Sequence, residues 1–457
     1  MADAGIGLTE FPAITLTVIV GATVFVLIYI STLFKSSVRA EEVKSKVKEH
    51  TKTKEKNEGL HGGAQHNKSS KKKYVGERWG RDTKHTFAHP WLMTSLKGHS
   101  GRILDMDISS NGKLLATCAE DRSLHIWTTK DFSQKERKSV RVNVEFDHAS
   151  KVRWSPDCKA FLILRAMDNT IEVYKVHRKP EGGISSVEKG FLFPKHHTED
   201  VIGLDIACSG RYIMTCSEKT DLVLWDLKGQ HILGKVDTYL MASTCARISP
   251  CGRFVAASGF TPDLKVWEVS FTKSGDFKQM SRAFELKGHT SGIHDFGFNC
   301  DSSRMATVSK DGTWRLYDTK IEFEKGEDPH LLMTGKYKGI PDVAARLALS
   351  PDGTVVAVAS GTSLYLYSAR TGTCEASIHD IHAAPINCVL FDAAGKYVLT
   401  TGDKHVHVFH NVIGQKELLE SARANLRTAG TSAMRERLEA QVASSEAFLQ
   451  KMGVTGA

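Results

Sequence analysis

Between Leu96 and His410, short runs of the chain alternate apolar and polar residues, as in DLKVWEV (Asp263–Val269) and TSLYLYS (Thr362–Ser368). A period of two, rich in β-branched and aromatic residues, predicts strands that bury one face. The runs come in groups. Seven segments share one plan: a strand, a turn, a second strand, a tight turn, and a third strand that closes on an aromatic residue. The closing residues are Trp127, Tyr174, Trp225, Trp267, Tyr317, Tyr367 and Phe409, spaced 42 to 51 residues apart. The turn after the first strand recurs as SSNGK, SPDCK, ACSGR, SPCGR, NCDSS, SPDGT and DAAGK, residue types that join antiparallel strands. One such unit cannot cover its own faces, whereas stacking the units radially covers them all. The expected fold class is therefore all-β, a seven-bladed β-propeller over 86–412.

Different patterns flank the repeats. Phe11 to Phe34 is 24 residues without a charge. At about 1.5 Å per residue it reaches roughly 36 Å, enough to cross a hydrocarbon layer of about 30 Å with some tilt. The run is too long for a cleaved signal peptide and no small-residue cleavage site follows it, so a transmembrane signal-anchor helix is expected at 11–34. Asp3 and Glu10 precede it, while Lys35, Arg39, Lys44, Lys46 and Lys48 follow. By the positive-inside rule, residues 1–10 are lumenal and everything after the helix is cytosolic. From 35 to 85 the chain is Lys-, Glu-, Ser- and Gly-rich with few apolar residues, a flexible basic linker. The C-terminal tail, 413–457, reads as helical from Gln415 to Met452. Gly430 divides it, Thr431 or Ser432 caps the second part, and Met434, Leu438, Val442, Ser445 and Leu449 make a narrow apolar stripe. The stripe either docks on the propeller or pairs with another helix, docking being favoured because two or three turns of stripe make a weak coiled coil.

Composition changes this picture little. At 41% hydrophobic and 25% charged the chain is ordinary for a globular protein. The net charge of +9 would suggest nucleic acid, until it is located. Residues 35–84 hold fifteen Lys/Arg against seven Asp/Glu, a surplus of eight, so the excess belongs to the linker and not to a basic domain. Lys71, Lys72 and Lys73 are its densest cluster, a candidate contact for anionic lipid or RNA. The nine cysteines form no C-x-x-C and no zinc-like pairing, and most stand among apolar neighbours, as small buried hydrophobes in a reducing compartment do.

Histidine is the residue that raises a question of chemistry. LKGHSGRILDMD (Leu96–Asp107) and LKGHTSGIHDFG (Leu286–Gly297) place Gly-His beside acidic residues. The seventh repeat carries HDIH (His379–His382) and HVHVFH (His405–His410). His405 and His407 would share a strand face, as chelation requires, but they read equally as the solvated face of a last strand with Val406 and Val408 buried. No G-x-S-x-G, P-loop, HExxH or kinase signature occurs. No catalytic residue, cofactor or metal is expected.

The repeats resemble the WD-repeat family. The stretches that carry the resemblance are GH…NGKLLATCAEDRSLHIW (Gly98–Trp127), GH…MATVSKDGTWRLYD (Gly288–Asp318) and SEKTDLVLWD (Ser217–Asp226), and it covers about 315 residues. Only two repeats keep Gly-His, His196–His197 is a degenerate version of it, and the second and sixth repeats are worn. The resemblance implies that Gly-His is structural. His99 would bond the tight-turn Asp121 and His289 would bond Asp311, in a network completed by a strand hydroxyl and the closing aromatic. Trp127, Asp221, Trp225, Trp267 and Tyr317 are its further members. It also implies that the strand near Pro90–Lys97 completes the seventh blade. One branch of the family has an N-terminal anchor, a Lys-rich tether, seven repeats and a helical tail, and resembles the whole chain. That branch implies a scaffold in the endoplasmic-reticulum membrane, facing the cytosol, whose partners are a stress-sensing protein kinase and translation components. The outer mitochondrial membrane is the alternative location. The competing functions are an RNA- or ribosome-associated adaptor working through the linker, and an enzyme or metal protein using the seventh repeat.

Overall fold

A computed structural model of the chain describes residues 87–134, 138–180 and 183–454. The expected lumenal segment, the membrane helix at 11–34 and the linker at 35–85 with Lys71, Lys72 and Lys73 lie outside them. Among the described residues no helix is long and apolar enough to cross a membrane.

Twenty-eight strands form seven four-stranded antiparallel sheets. Each of the first six sheets takes four consecutive strands, blade one running Ile103–Ile108, Leu114–Ala119, Ser123–Thr128 and Ser139–Asn143. The seventh is different. Its outer strand is Leu92–Lys97, which pairs antiparallel with His405–His410, so the two ends of the propeller share one sheet and the ring leaves no free blade edge at its seam. First strands of successive blades touch one another all round the ring and so line the axis.

The turn between first and second strands explains why the repeats are legible. In each blade its fourth residue donates its N–H to the carbonyl of the first: Gly112 to Ser109, Cys158 to Ser155, Gly210 to Ala207, Gly252 to Ser249, Ser302 to Asn299, Gly353 to Ser350 and Gly395 to Asp392. All seven of these residues have φ between 56° and 72°, the left-handed region that glycine enters without penalty. Five are glycine; Cys158 and Ser302 adopt it with a side chain.

Between blades the packing is apolar. Leu114, Ala116 and Leu124 of blade one meet Val152, Trp154 and Phe161 of blade two, and equivalent clusters recur round the ring. Polar staples sit along the axis. Asp105 accepts from the Val152 N–H at 3.2 Å and from Arg153 at 2.7 Å, and Asp107 accepts from the Trp154 N–H at 2.7 Å. Asp205 accepts from the Ile248 N–H, and Asp295 from the Leu347 N–H and Arg247. Each carboxylate thus reaches an adjoining blade, where a pair in a dry site is worth more than on the surface. Burial pushes the Asp107 carboxyl up to about 7, against the pull of Arg153.

After His410 the chain forms helix α1 (Val412–Arg427), capped by the Asn411 side chain, and helix α2 (Ser432–Lys451), capped by Thr431. Val412 and Leu419 of α1 bury against Leu449 of α2 and Trp91 beside the closing strand. Lys416 reaches Glu375 at 2.6 Å and Arg370 reaches Glu417 at 3.3 Å, tying the hairpin to blade six. Of the expected stripe, Leu438, Ser445 and Leu449 are buried, while Met434 at the first turn is exposed.

Candidate protein-docking face

The Gly-His residues lie where the loop entering a blade meets the turn between its second and third strands. In blade one His99 donates from Nδ1 to Asp121 at 3.3 Å, its Nε2 accepts from the Thr117 hydroxyl at 2.8 Å, and the Trp127 indole N–H donates to the Thr117 oxygen at 3.2 Å. Burial lowers the His99 pKa below its usual value, against the pull of Asp121, which keeps the ring neutral. Burial would raise Asp121, but hydrogen bonds from Ser123 and the Ser100 N–H prevail and hold it well below the usual carboxylate range. In blade five His289 repeats this with Asp311 at 2.9 Å and Thr307 at 2.8 Å, and Asp311 is held at about 2 by the bonds from Thr313 and Thr290 that outweigh burial.

Other members sit differently from the family pattern. Tyr317 stands in the tryptophan's place, and its hydroxyl donates to the Lys287 carbonyl at 2.8 Å. Trp267 has no hydroxyl to meet, since Ala257 stands where blades one and five carry threonine, and it contributes by packing. Asp221 is two positions beyond the tight-turn site, which Lys219 occupies. It faces Lys235 at 3.3 Å on the sheet surface and takes no part in the histidine network. His197 keeps the Thr215 and Trp225 half of the network, at 2.7 and 2.8 Å, and its buried Nδ1 has no partner.

Blade seven carries a network that the sequence pattern hid. His382 of HDIH bonds Thr400 at 3.0 Å and lies 3.2 Å from Asp403, as His99 does with Thr117 and Asp121. No Gly-His marks it, although a histidine eighteen residues before a strand threonine could have found it. Val406 and Val408 are buried, but so is His407, which bonds Ser95 of the closing strand at 2.7 Å rather than facing solvent. Burial pulls it down to about 3. Among the described residues no group of three or more His, Cys, Asp or Glu is arranged to hold a metal ion. The cysteines divide as well: Cys118, Cys158 and Cys216 are buried, whereas Cys208, Cys251 and Cys300 are exposed in turns and Cys374 is exposed at the start of a strand, so the small-hydrophobe reading holds for only part of the set.

These networks stiffen one face of the ring, the face carrying the entry loops. On it stand side chains that no core requires. Phe146 is 86% exposed, Tyr239 and Met241 74%, Met167 73% and Phe260 63%. Phe146, Tyr239 and Met241 also have φ of 64°, 51° and 65°, a backbone state costing a bulky L-residue about 1–2 kcal/mol. Strained backbone thus holds three apolar side chains out in water, where the fold itself has no use for them. Loop-to-loop hydrogen bonds join them into an arc: Met167 N–H to Asp147, Asn169 to Asp200, Ser243 N–H to the Glu218 carbonyl, and Phe260 N–H to the Ala242 carbonyl. No signal of periodicity distinguishes these loop residues, and the sequence reading did not find them.

A ring of seven four-stranded blades with His–Asp–Thr networks defines a WD-repeat propeller. The sequence model of the family "WD domain, G-beta repeat" matches residues 91–128, 189–226, 280–318 and 372–410. Transducin beta-like protein 2 of Homo sapiens is 46% identical over 383 residues, covering 84% of this chain and 86% of the relative, and that of Mus musculus is 45% identical over 386 residues, covering 84% and 87%. WD repeat-containing protein 82 of Drosophila melanogaster is 24% identical over 308 residues, 66% of this chain and 87% of its own. The chain belongs to the WD-repeat family and, within it, to the transducin beta-like protein 2 family. The fold is one that typically serves as a non-enzymatic scaffold.

Proposed function

We propose that this chain is a membrane-anchored scaffold, held in the endoplasmic-reticulum membrane by residues 11–34, that gathers protein partners in the cytosol on the entry face of blades two to four. The observation that carries the reading is the arc of exposed apolar side chains from Phe146 to Phe260, three of which (Phe146, Tyr239 and Met241) are held out by left-handed backbone. The anchor rests on the uncharged run at 11–34 and its basic flank. That the partners include a stress-sensing kinase and translation components rests on resemblance to the anchored branch of the family.

Lysine-reactive crosslinking of the full chain, purified from cells with its partners, tests the docking face. Crosslinks to partners should fall on Lys195 and Lys219, which belong to the entry loop and tight turn of blade three. Crosslinks concentrated instead on Lys113, Lys159 and Lys228, on the opposite face, would overturn the assignment.

A further inference from the structure

The entry face is electrically divided, and its apolar arc lies wholly in the acidic half. Asp200, Glu218, Asp237 and Asp263 border the arc, and none forms an ion pair among the described residues. Asp237 stands two residues before Tyr239, and Asp263 three after Phe260. Glu218 lends its carbonyl to the loop that carries Met241. Of the basic groups of this half, Lys219 is paired with Glu199, Lys265 is bonded to the carbonyls of Thr238 and Tyr239, and Arg165 holds Asp168, which leaves Lys195 as an exposed cation without an ion pair among the described residues. Across the axis the balance shifts toward positive charge. Lys287, Lys310, Lys338 and Lys404 are exposed in the loops of blades five to seven without an ion pair among the described residues, against two exposed carboxylates, Asp342 and Asp380, and Ile340 is the large exposed apolar residue of those loops.

Resting on the reading of this face as a docking surface, we propose that the arc takes a partner segment that alternates apolar and basic side chains. Two features fix that chemistry. Apolar knobs in separate loops leave gaps that flexible apolar side chains fill, and unpaired carboxylates beside each gap favour a cation at the next position. Unpaired charge around an apolar patch adds little affinity by itself, but it selects partners and speeds their encounter. An acidic segment would meet like charge at four places along the same path, so discrimination against it is built in.

The test uses the full-length chain in digitonin and three immobilised twelve-residue peptides, alternating Leu–Arg, Leu–Glu and Ser–Arg. The Leu–Arg peptide should bind at least tenfold more tightly than either control and should weaken as salt rises. Phe260→Asp with Met241→Asp should abolish that binding, and Asp200→Lys with Asp237→Lys should reduce it at least tenfold, all at an unchanged melting temperature. If Leu–Glu binds as well as Leu–Arg and Phe260→Asp removes both, the face docks proteins but the basic specificity is wrong. If Leu–Arg binding is indifferent to both pairs of substitutions, or no peptide binds, the proposal is overturned; indifference also removes this arc from the docking reading.

Discussion

At the scale of single residues, the histidines separate fold from function. Substituting His289 by Ala leaves Asp311 and Thr307 without their buried partner and should cost about 1–3 kcal/mol. His197→Ala should cost less, because the Nδ1 of His197 is already unpartnered and no turn carboxylate depends on it. Thermal unfolding of the two variants checks the order; equal losses would deny the Asp311 bond its role. The same groups set a pH dependence. His99, His125, His197, His289 and His407 all have pKa values lowered by burial, with His125 and His197 at about 4. Below pH 6.5 the unfolded chain therefore binds protons that the folded one refuses, and stability falls with pH by about 1.4 kcal/mol per unit for each such proton. Asp107 and Asp205, raised by burial, act in the opposite sense: they favour the folded state at low pH and lose that contribution as pH rises through about 7 for Asp107. Histidines outnumber them, so the melting temperature should drop between pH 6.5 and 4. A flat profile over that range would mean that these rings charge without penalty.

Elements show what was legible in the chain and what was not. Strands, closing aromatics and the seven turns could be read because each turn repeats a backbone demand, and five of seven answer it with glycine. Gly112→Ala isolates that demand: its added Cβ would meet only Ala393, at 3.7 Å, so the loss of about 1–2 kcal/mol should come from φ alone. The closing strand was legible as well, from family topology. A chain beginning at Gly98 should aggregate, whereas one beginning at Arg81 should stay dispersed without detergent; light scattering distinguishes them, and like behaviour would mean that Leu92–Lys97 is dispensable for the seventh blade. The blade-seven network was missed because its glycine has gone, and His407 was misplaced because the partner that buries it, Ser95, is 312 residues away. The docking of α2 depends on Leu449 against Trp91, Val412 and Leu419. Leu449→Ala should release about 2–5 kcal/mol of burial. Amide exchange should then quicken in 432–451 while the blades stay protected; uniform quickening would make the hairpin part of the propeller's cooperative unit.

For the whole molecule, the two claims that matter are which side of a membrane holds the propeller and which face of it works. Topology has a built-in reporter. Asn67-Lys68-Ser69 is a glycosylation acceptor in the basic linker, and it should remain unmodified if that linker is cytosolic. A glycosidase-sensitive band lost in Asn67→Gln would place the propeller in the lumen instead. The face is tested most directly by proximity labelling in cells, comparing the full chain with a Phe146→Asp, Tyr239→Asp, Met241→Asp, Phe260→Asp variant. All four side chains are exposed, so the variant should keep its melting temperature and its membrane. The account predicts that it loses most of the labelled neighbours that the wild-type propeller gathers. An unchanged set of neighbours, from a folded and correctly located variant, would contradict it.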